Sequence, residues 1–142
     1  MKISAKTHYA CRALLDLALH WPKTTPLPIR IIAGHRQIPM KFLPHILIQL
    51  KQLGYVDSTR GNKGGYILIK PPKEIKLSEI VKSFAEIQLG PSKAMERSKK
   101  VDVLESIWRE ADEVLLNFMG SIDLEDISKR EQSLSKIPMY TI

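Results

Sequence analysis

The stretch Arg60-Gly61-Asn62-Lys63-Gly64-Gly65-Tyr66 decides how this 142-residue chain is read. Three glycines and two cations share seven positions, between Tyr55-Val56 and the alternating run Tyr66-Ile67-Leu68-Ile69. Apolar or β-branched runs on either side of a Gly/Asn tip predict a β-hairpin. Glycine reaches positive φ and carries no side chain, so the tip can lie close against another surface. Arg60 and Lys63 suit a surface made of phosphates. A lone basic turn is more often solvated than functional, so the segments ahead of it carry the decision.

Upstream, a helix over residues 40–53 would turn Phe42, Leu43, Ile46, Leu47 and Leu50 inward, with Gly54 as its C′ residue. Before it, Pro28 suits the first turn of a short helix carrying Ile29, Ile31, Ile32 and Ala33, and residues 34–38 make the turn. Ser4 can cap a first helix reaching about His20, with Tyr9, Ala10, Ala13, Leu14, Leu17 and Ala18 on one face. Short helix, tight turn, longer helix and basic hairpin in that order describe a winged helix-turn-helix. Its third helix enters the major groove by its N-terminal end, where Met40, Lys41, Pro44 and His45 lie. Pro44 inside a helix begun at Met40 would cost a backbone bond, so a later start or an opening 3₁₀ turn is expected.

Charge agrees with that reading. Residues 1–70 hold 11 Lys/Arg against Asp16 and Asp57, a balance of +9; residues 71–142 hold 11 Lys/Arg against 13 Asp/Glu, a balance of −2. A polyanion-binding module joined to a neutral or acidic one fits this asymmetry. No apolar run approaches the ~20 residues of a membrane span, and the N-terminus lacks a secretory core, so a cytoplasmic protein is expected. One cysteine excludes an intrachain disulfide and any multi-cysteine metal site within one chain. Cys11 reads as a packed helix residue, or alternatively a redox-sensitive thiol; the four histidines show no metal-like spacing.

Past Pro71-Pro72, the residues Ile75, Leu77, Ile80, Val81, Phe84 and Ile87 predict a short amphipathic helix. Gly90-Pro91 ends it, and residues 92–100 read as a polar loop. A long helix over 101–119 carries the stripe Val101, Leu104, Trp108, Ala111, Leu115 and Phe118, widened by Ile107, Val114 and Met119. Such a stripe needs a partner, either its own domain or, as preferred here, a second copy. Leu124 and Ile127 dock a final turn, and residues 128–142 read as a polar tail. The expected organisation is a winged domain over 1–91, a loop over 92–100, a dimerisation helix and docking turn over 101–127, and the tail. The fold class is mainly α with a small β-wing.

Several runs together resemble the Rrf-two family of bacterial transcription regulators. They are Lys6-Thr7-His8-Tyr9-Ala10, Arg12-Ala13-Leu14-Leu15-Asp16-Leu17-Ala18, Ile38-Pro39-Met40-Lys41-Phe42-Leu43, Leu50-Lys51-Gln52-Leu53-Gly54-Tyr55-Val56, and the wing itself. Weaker likeness continues through Ile107-Trp108-Arg109-Glu110 and residues 122–127. The resemblance implies a homodimer with crossing long helices, bound to a roughly palindromic operator in double-stranded promoter DNA. It implies the third helix in the major groove and the wing, Arg60 and Gly61 with Asn62, Lys63 and Gly64, in the minor groove. Lys6, Tyr9 and the second-helix start at Pro28 would contact phosphates. Pro44 departs from members carrying a base-reading Glu there, which shifts readout toward Lys41 and His45.

The family's cluster-binding members place three cysteines between the Gly-Pro and the long helix, whereas residues 92–102 here contain none. Carboxylates and hydroxyls do not replace thiolates around an iron–sulfur cluster, so no cofactor and no metal are expected. The reading is a DNA-binding transcriptional regulator, a homodimeric repressor by preference. A protein-interaction module acting through a partner protein is the alternative. No nucleophile–base pair, phosphate loop or metal box suggests an enzyme. The 92–100 loop could serve a small ligand or effector protein.

Overall fold

The computed structural model describes residues 2–22, 25–84 and 102–135. The first helix, α1 (Ala5–Leu19), begins where the Ser4 hydroxyl accepts the Thr7 N–H at 3.1 Å. Its inner face is Thr7, Ala10, Ala13, Leu14, Leu17 and Ala18, the 3.6-residue stripe expected, with Tyr9 only half-buried at its edge. Small residues on that face let α2 (Ile29–Arg36) and α3 (Leu43–Gln52) pack closely against it.

Two boundaries differ from the sequence reading. Gly34 and His35 belong to α2, and the turn begins at Gln37, whose left-handed backbone (φ 52°) ends the helix. Residues 40–42 are a turn, so α3 starts at Leu43 and Pro44 is its second residue. The first helical N–H groups have no intrahelical acceptor, so proline there forfeits nothing. Phe42 is consequently not on the inner face. It precedes the helix and stays 43 % exposed, while Leu43, Ile46, Leu47 and Leu50 are buried as expected. Gly54 (φ 84°) closes α3 as a C′ residue, with its N–H on Lys51 O.

Strands β1 (Val56–Thr59) and β2 (Gly65–Leu68) pair antiparallel, with Val56 opposite Leu68 and Thr59 opposite Gly65. A 3₁₀ turn (Pro72–Glu74) leads to α4 (Leu77–Ser83), shorter than the predicted amphipathic segment because Ile75 precedes it; Ile87 lies outside the described residues. The long helix α5 (Val103–Gly120) is capped by Asp102, whose carboxylate accepts the Leu104 N–H at 3.0 Å. Val101 and the 92–100 loop also lie outside the described residues.

The polar run after Ser128 is no tail as far as Ser135. It continues α6 (Leu124–Ser135), which packs on α1 and the 3₁₀ turn. Asp123 and Asp126 form a reciprocal capping box, each carboxylate accepting the other's N–H at 2.8 and 3.0 Å. That hydrogen bond from the Asp123 backbone holds the Asp126 carboxyl below its ordinary value. Residues 136–142 lie outside the described residues. The α5–α6 corner is stitched to the segment before α4 by Leu77 N–H to Ile122 O and Leu124 N–H to Ile75 O, both 2.9 Å.

Inside the joint between α1, α2 and α6 sits Asp16, 1 % exposed. Its carboxylate accepts Arg36 Nε at 3.2 Å and His35 Nδ1 at 3.1 Å, and Arg36 Nη1 reaches Glu131 of α6 at 3.0 Å. Removing Arg36 leaves a buried carboxylate with only an imidazole beside it, whereas Glu131 is 39 % exposed and partly solvated. Urea denaturation should therefore find Arg36→Met destabilised by about 3 kcal/mol and Glu131→Ala by roughly 1 kcal/mol or less. Equal effects would contradict the central place given to Asp16.

Candidate nucleic-acid interface

The wing tip is a four-residue turn closed by Gly64 N–H to Gly61 O at 2.9 Å. Its three glycines have different causes. Gly61 has φ 108° with nothing near a would-be Cβ, so only its backbone conformation demands glycine. At Gly64 a Cβ would fall 2.5 Å from Thr59 O, and at Gly65 it would fall 2.2 Å from Leu27 O. The close approach anticipated for the tip is thus met, at Gly65, by the chain's own backbone. Leu27 and Tyr66 exchange both backbone hydrogen bonds at 2.9 Å, adding a one-residue third strand to the hairpin.

That bridge sets the wing beside the start of α2. Pro28 is the residue preceding that helix, and no side chain caps it; helix starts of this kind favour an anion. Pro28, Ile29, Arg60, Gly61 and Gly64 line one shared cleft. Arg60, Gly61, Asn62 and Lys63 are exposed. On the other flank, Lys51 of α3 donates to Ser58 Oγ at 2.8 Å and lies 3.7 Å from Asp57, tying α3 to β1.

The start of α3 presents Met40, Lys41 and His45 to solvent, with Pro44 half-buried. Lys41 Nζ sits 4.8 Å over the Phe42 ring, which in turn stacks on Tyr9 of α1 at 5.9 Å and 22°. Lys6 is exposed beside this stack. Of the predicted set, Lys6, Tyr9 and His45 line one hollow, with Met40, Lys41 and Pro44 in the turn and first residues leading into α3, while Pro28, Arg60, Gly61, Asn62 and Gly64 line a separate cleft. Phe42 and the 50 % exposed Ile48 also stand open on this side of α3, and the sequence reading left both out of the set. Ile48 lies three residues after His45, and that spacing is the signal that could have found it.

The long helix contributes a separate surface. Leu104 (52 %), Trp108 (51 %) and Phe118 (58 %) are bare in the single chain, Ala111 is exposed and Leu115 half-buried. Their alternating spacing of four and three residues is that of a coiled-coil seam. Among the α5 residues, Met119 is the buried one.

These features define a winged-helix transcription regulator. The chain belongs to the Rrf2 family, described as iron-dependent transcriptional regulators, whose profile matches residues 3–130. It is 36 % identical over 129 residues to slr0846 of Synechocystis sp., named as an HTH-type transcriptional regulator, covering 89 % of this chain and 87 % of that one. Identity to the regulator IscR of Xenorhabdus nematophila is 30 % over 137 residues, covering 94 % of this chain and 83 % of that one. Among solved structures, IscR of T. potens superposes with a TM-score of 0.80 at 26 % identity, covering 99 % of this chain and 94 % of that one. CymR of B. subtilis gives 0.80 at 24 %, covering 92 % and 98 %, a likeness of fold.

The family's description invokes iron, and this chain's donors do not fit an iron–sulfur cluster. The sequence holds one cysteine. Burial pushes the Cys11 thiol up to about 11, so it stays protonated at neutral pH and is a poor ligand and nucleophile. Among the described residues no group of three or more His, Cys, Asp or Glu converges as a metal cage. His20 and His35 are instead occupied structurally: His20 Nδ1 bonds Asp16 O at 2.8 Å, and the two rings lie parallel 6.3 Å apart. No described helix is long and apolar enough to cross a membrane.

The glycine geometry makes a ranked prediction. Gly65→Ala must displace Leu27 and break its paired bonds, so urea denaturation should show a loss of about 2–3 kcal/mol. Gly61→Ala, which meets only backbone strain, should lose about 1 kcal/mol. The reverse order would refute the bridge as the wing's anchor. Iodoacetamide near neutral pH should modify Cys11 far more slowly in the folded protein than in urea; equally rapid native alkylation would contradict the raised pKa of this half-buried thiol.

Proposed function

We propose that the protein is a homodimeric repressor that occupies a promoter, with α3 in the major groove and the wing in the minor groove of each half-site. The observation that carries this reading is the bridge between Leu27 and Tyr66, which fixes exposed Arg60 beside the uncapped start of α2. A helix N-terminus favours a phosphate, and an arginine one strand away suits the enhanced negative potential of a narrow A·T-rich groove. At α3, Lys41 and His45 are the exposed hydrogen-bonding groups near the helix start. Pro44 offers no such bond, and Met40 with Ile48 supplies apolar contact of the kind that recognises a thymine methyl. Lys6 and Tyr9 serve as flanking contacts to the backbone.

Dimerisation follows from the seam on α5. Two copies laid seam to seam would cover Leu104, Trp108, Ala111, Leu115 and Phe118, and a half-exposed aromatic gains roughly 1 kcal/mol from such burial. The α5–α6 corner holds that helix to its own winged domain, so the dimer would set the spacing of the two wings.

Binding to the DNA upstream of the protein's own coding sequence, measured by fluorescence anisotropy, tests the assignment. Affinity should fall steeply with salt, by roughly one unit of log–log slope per phosphate contact. Arg60→Ala should cost about 1–3 kcal/mol, more at A·T-rich wing sites than elsewhere. Wild-type affinity in Arg60→Ala would sink the minor-groove placement. In sedimentation, Leu104→Arg should convert a dimer to monomer; an unchanged mass would move the interface away from α5.

A further inference from the structure

We infer that the cup between the first turn of α1 and the start of α3 is a binding site for a small monocyclic aromatic carboxylate, and that its occupancy weakens the hold on DNA. The cup is about 200 Å³ and is lined by Ala5, Lys6, Tyr9, Phe42, His45 and Ile46. Cavities of about 150 Å³ with apolar walls accept a benzene ring, so a single ring fits. Two of the walls are the stacked rings of Tyr9 and Phe42, whose faces and edges favour an aromatic guest over an aliphatic one. Ile46 and Ala5 make the floor and one side apolar.

The rim selects the other end of the ligand. Lys6 and His45 border both the cup, whose wall is almost wholly apolar, and the adjoining polar cleft with Gln49 and Gln52, and no carboxylate lines either. Lys6 Nζ lies 5.8 Å from the Phe84 ring centroid, and among the described residues it has no acidic partner. An ammonium held by an aromatic face and not by an acid stays available to an arriving carboxylate.

Coupling to DNA rests on the function proposed above, because Lys6, Tyr9 and His45 belong to both surfaces. A bound carboxylate places negative charge where a phosphate would come, and a ring pressed against Phe42 acts on the residue from which α3 starts. Two ligands that exclude each other must weaken each other by the same factor.

Benzoate is the probe, titrated into the full-length protein without DNA and followed by NMR. Resonances of Tyr9, Phe42 and Ile46 should shift saturably with a Kd below about 1 mM. Benzyl alcohol, which lacks the charge, and Ala5→Leu, which fills the cup from a residue outside the DNA set, should each weaken binding about tenfold or more. Saturating benzoate should raise the Kd for promoter DNA several-fold in wild type and leave Ala5→Leu unmoved. The inference is overturned by absent or unsaturable shifts, by undiminished binding in Ala5→Leu, or by DNA affinity indifferent to benzoate. Binding seen only in the monomeric Leu104→Arg variant would also overturn it, since a second copy would then occupy the cup. Benzoate binding to a protein that fails to bind DNA supports the site and refutes the DNA reading, so the two claims fail separately.

Discussion

The two backbone hydrogen bonds between Leu27 and Tyr66 are the constraint on which the outward face of this molecule depends. A two-stranded hairpin alone is marginal in water, and a flexible wing would carry its cations anywhere. Pairing with Leu27 gives the hairpin a third strand and joins it to the residue before α2. The pairing exists because Gly65 has no side chain; any Cβ would strike Leu27 O. Local sequence thus fixes a long-range geometry. Hydrogen bonds join the wing to the α2 start and, through Lys51 and Ser58, to the body of α3.

Behind that face, α1 is the hub, and Asp16 is its one charged buried residue. A carboxylate in an apolar interior survives only with partners, and its partners come from α2, which is itself held to α6 through Glu131. The consequence reaches the long helix. Its C-terminal corner is stitched to the core while its apolar seam remains uncovered in the single chain, so a second copy laid on that seam would be joined mechanically to the winged domain. Both surfaces proposed for partners, the seam of α5 and the cup beside Phe42, adjoin elements locked by these interactions.

Much of this was legible in the sequence because its signals were local. The wing, the apolar stripe of α1, the inward residues of α3, Gly54 and the seam of α5 all follow from period or turn chemistry. The failures have physical reasons as well. Phe42 fits a helical period but precedes the helix, since Pro44 is accommodated only near a helix start. Residues after Ser128 look like solvent-exposed tail because α6 buries a narrow edge and is held by a capping box and an ion pair. The Asp123-x-x-Asp126 spacing signals that helix, and Asp16 within an apolar stripe signals a buried partner; neither partner's identity could be read without the fold. The cup beside Phe42 is a product of packing between α1 and α3 and has no sequence signature.

In the proposed complex, the wing and α3 address one DNA duplex together, at two dyad-related half-sites. Hydroxyl-radical footprinting of the wild-type protein on its upstream promoter tests it most directly, because that probe reports minor-groove access base by base. Two protected minor-groove patches placed symmetrically about a dyad, on the same face of the duplex, are expected. Uniform cleavage, or protection without paired minor-groove patches, would contradict it.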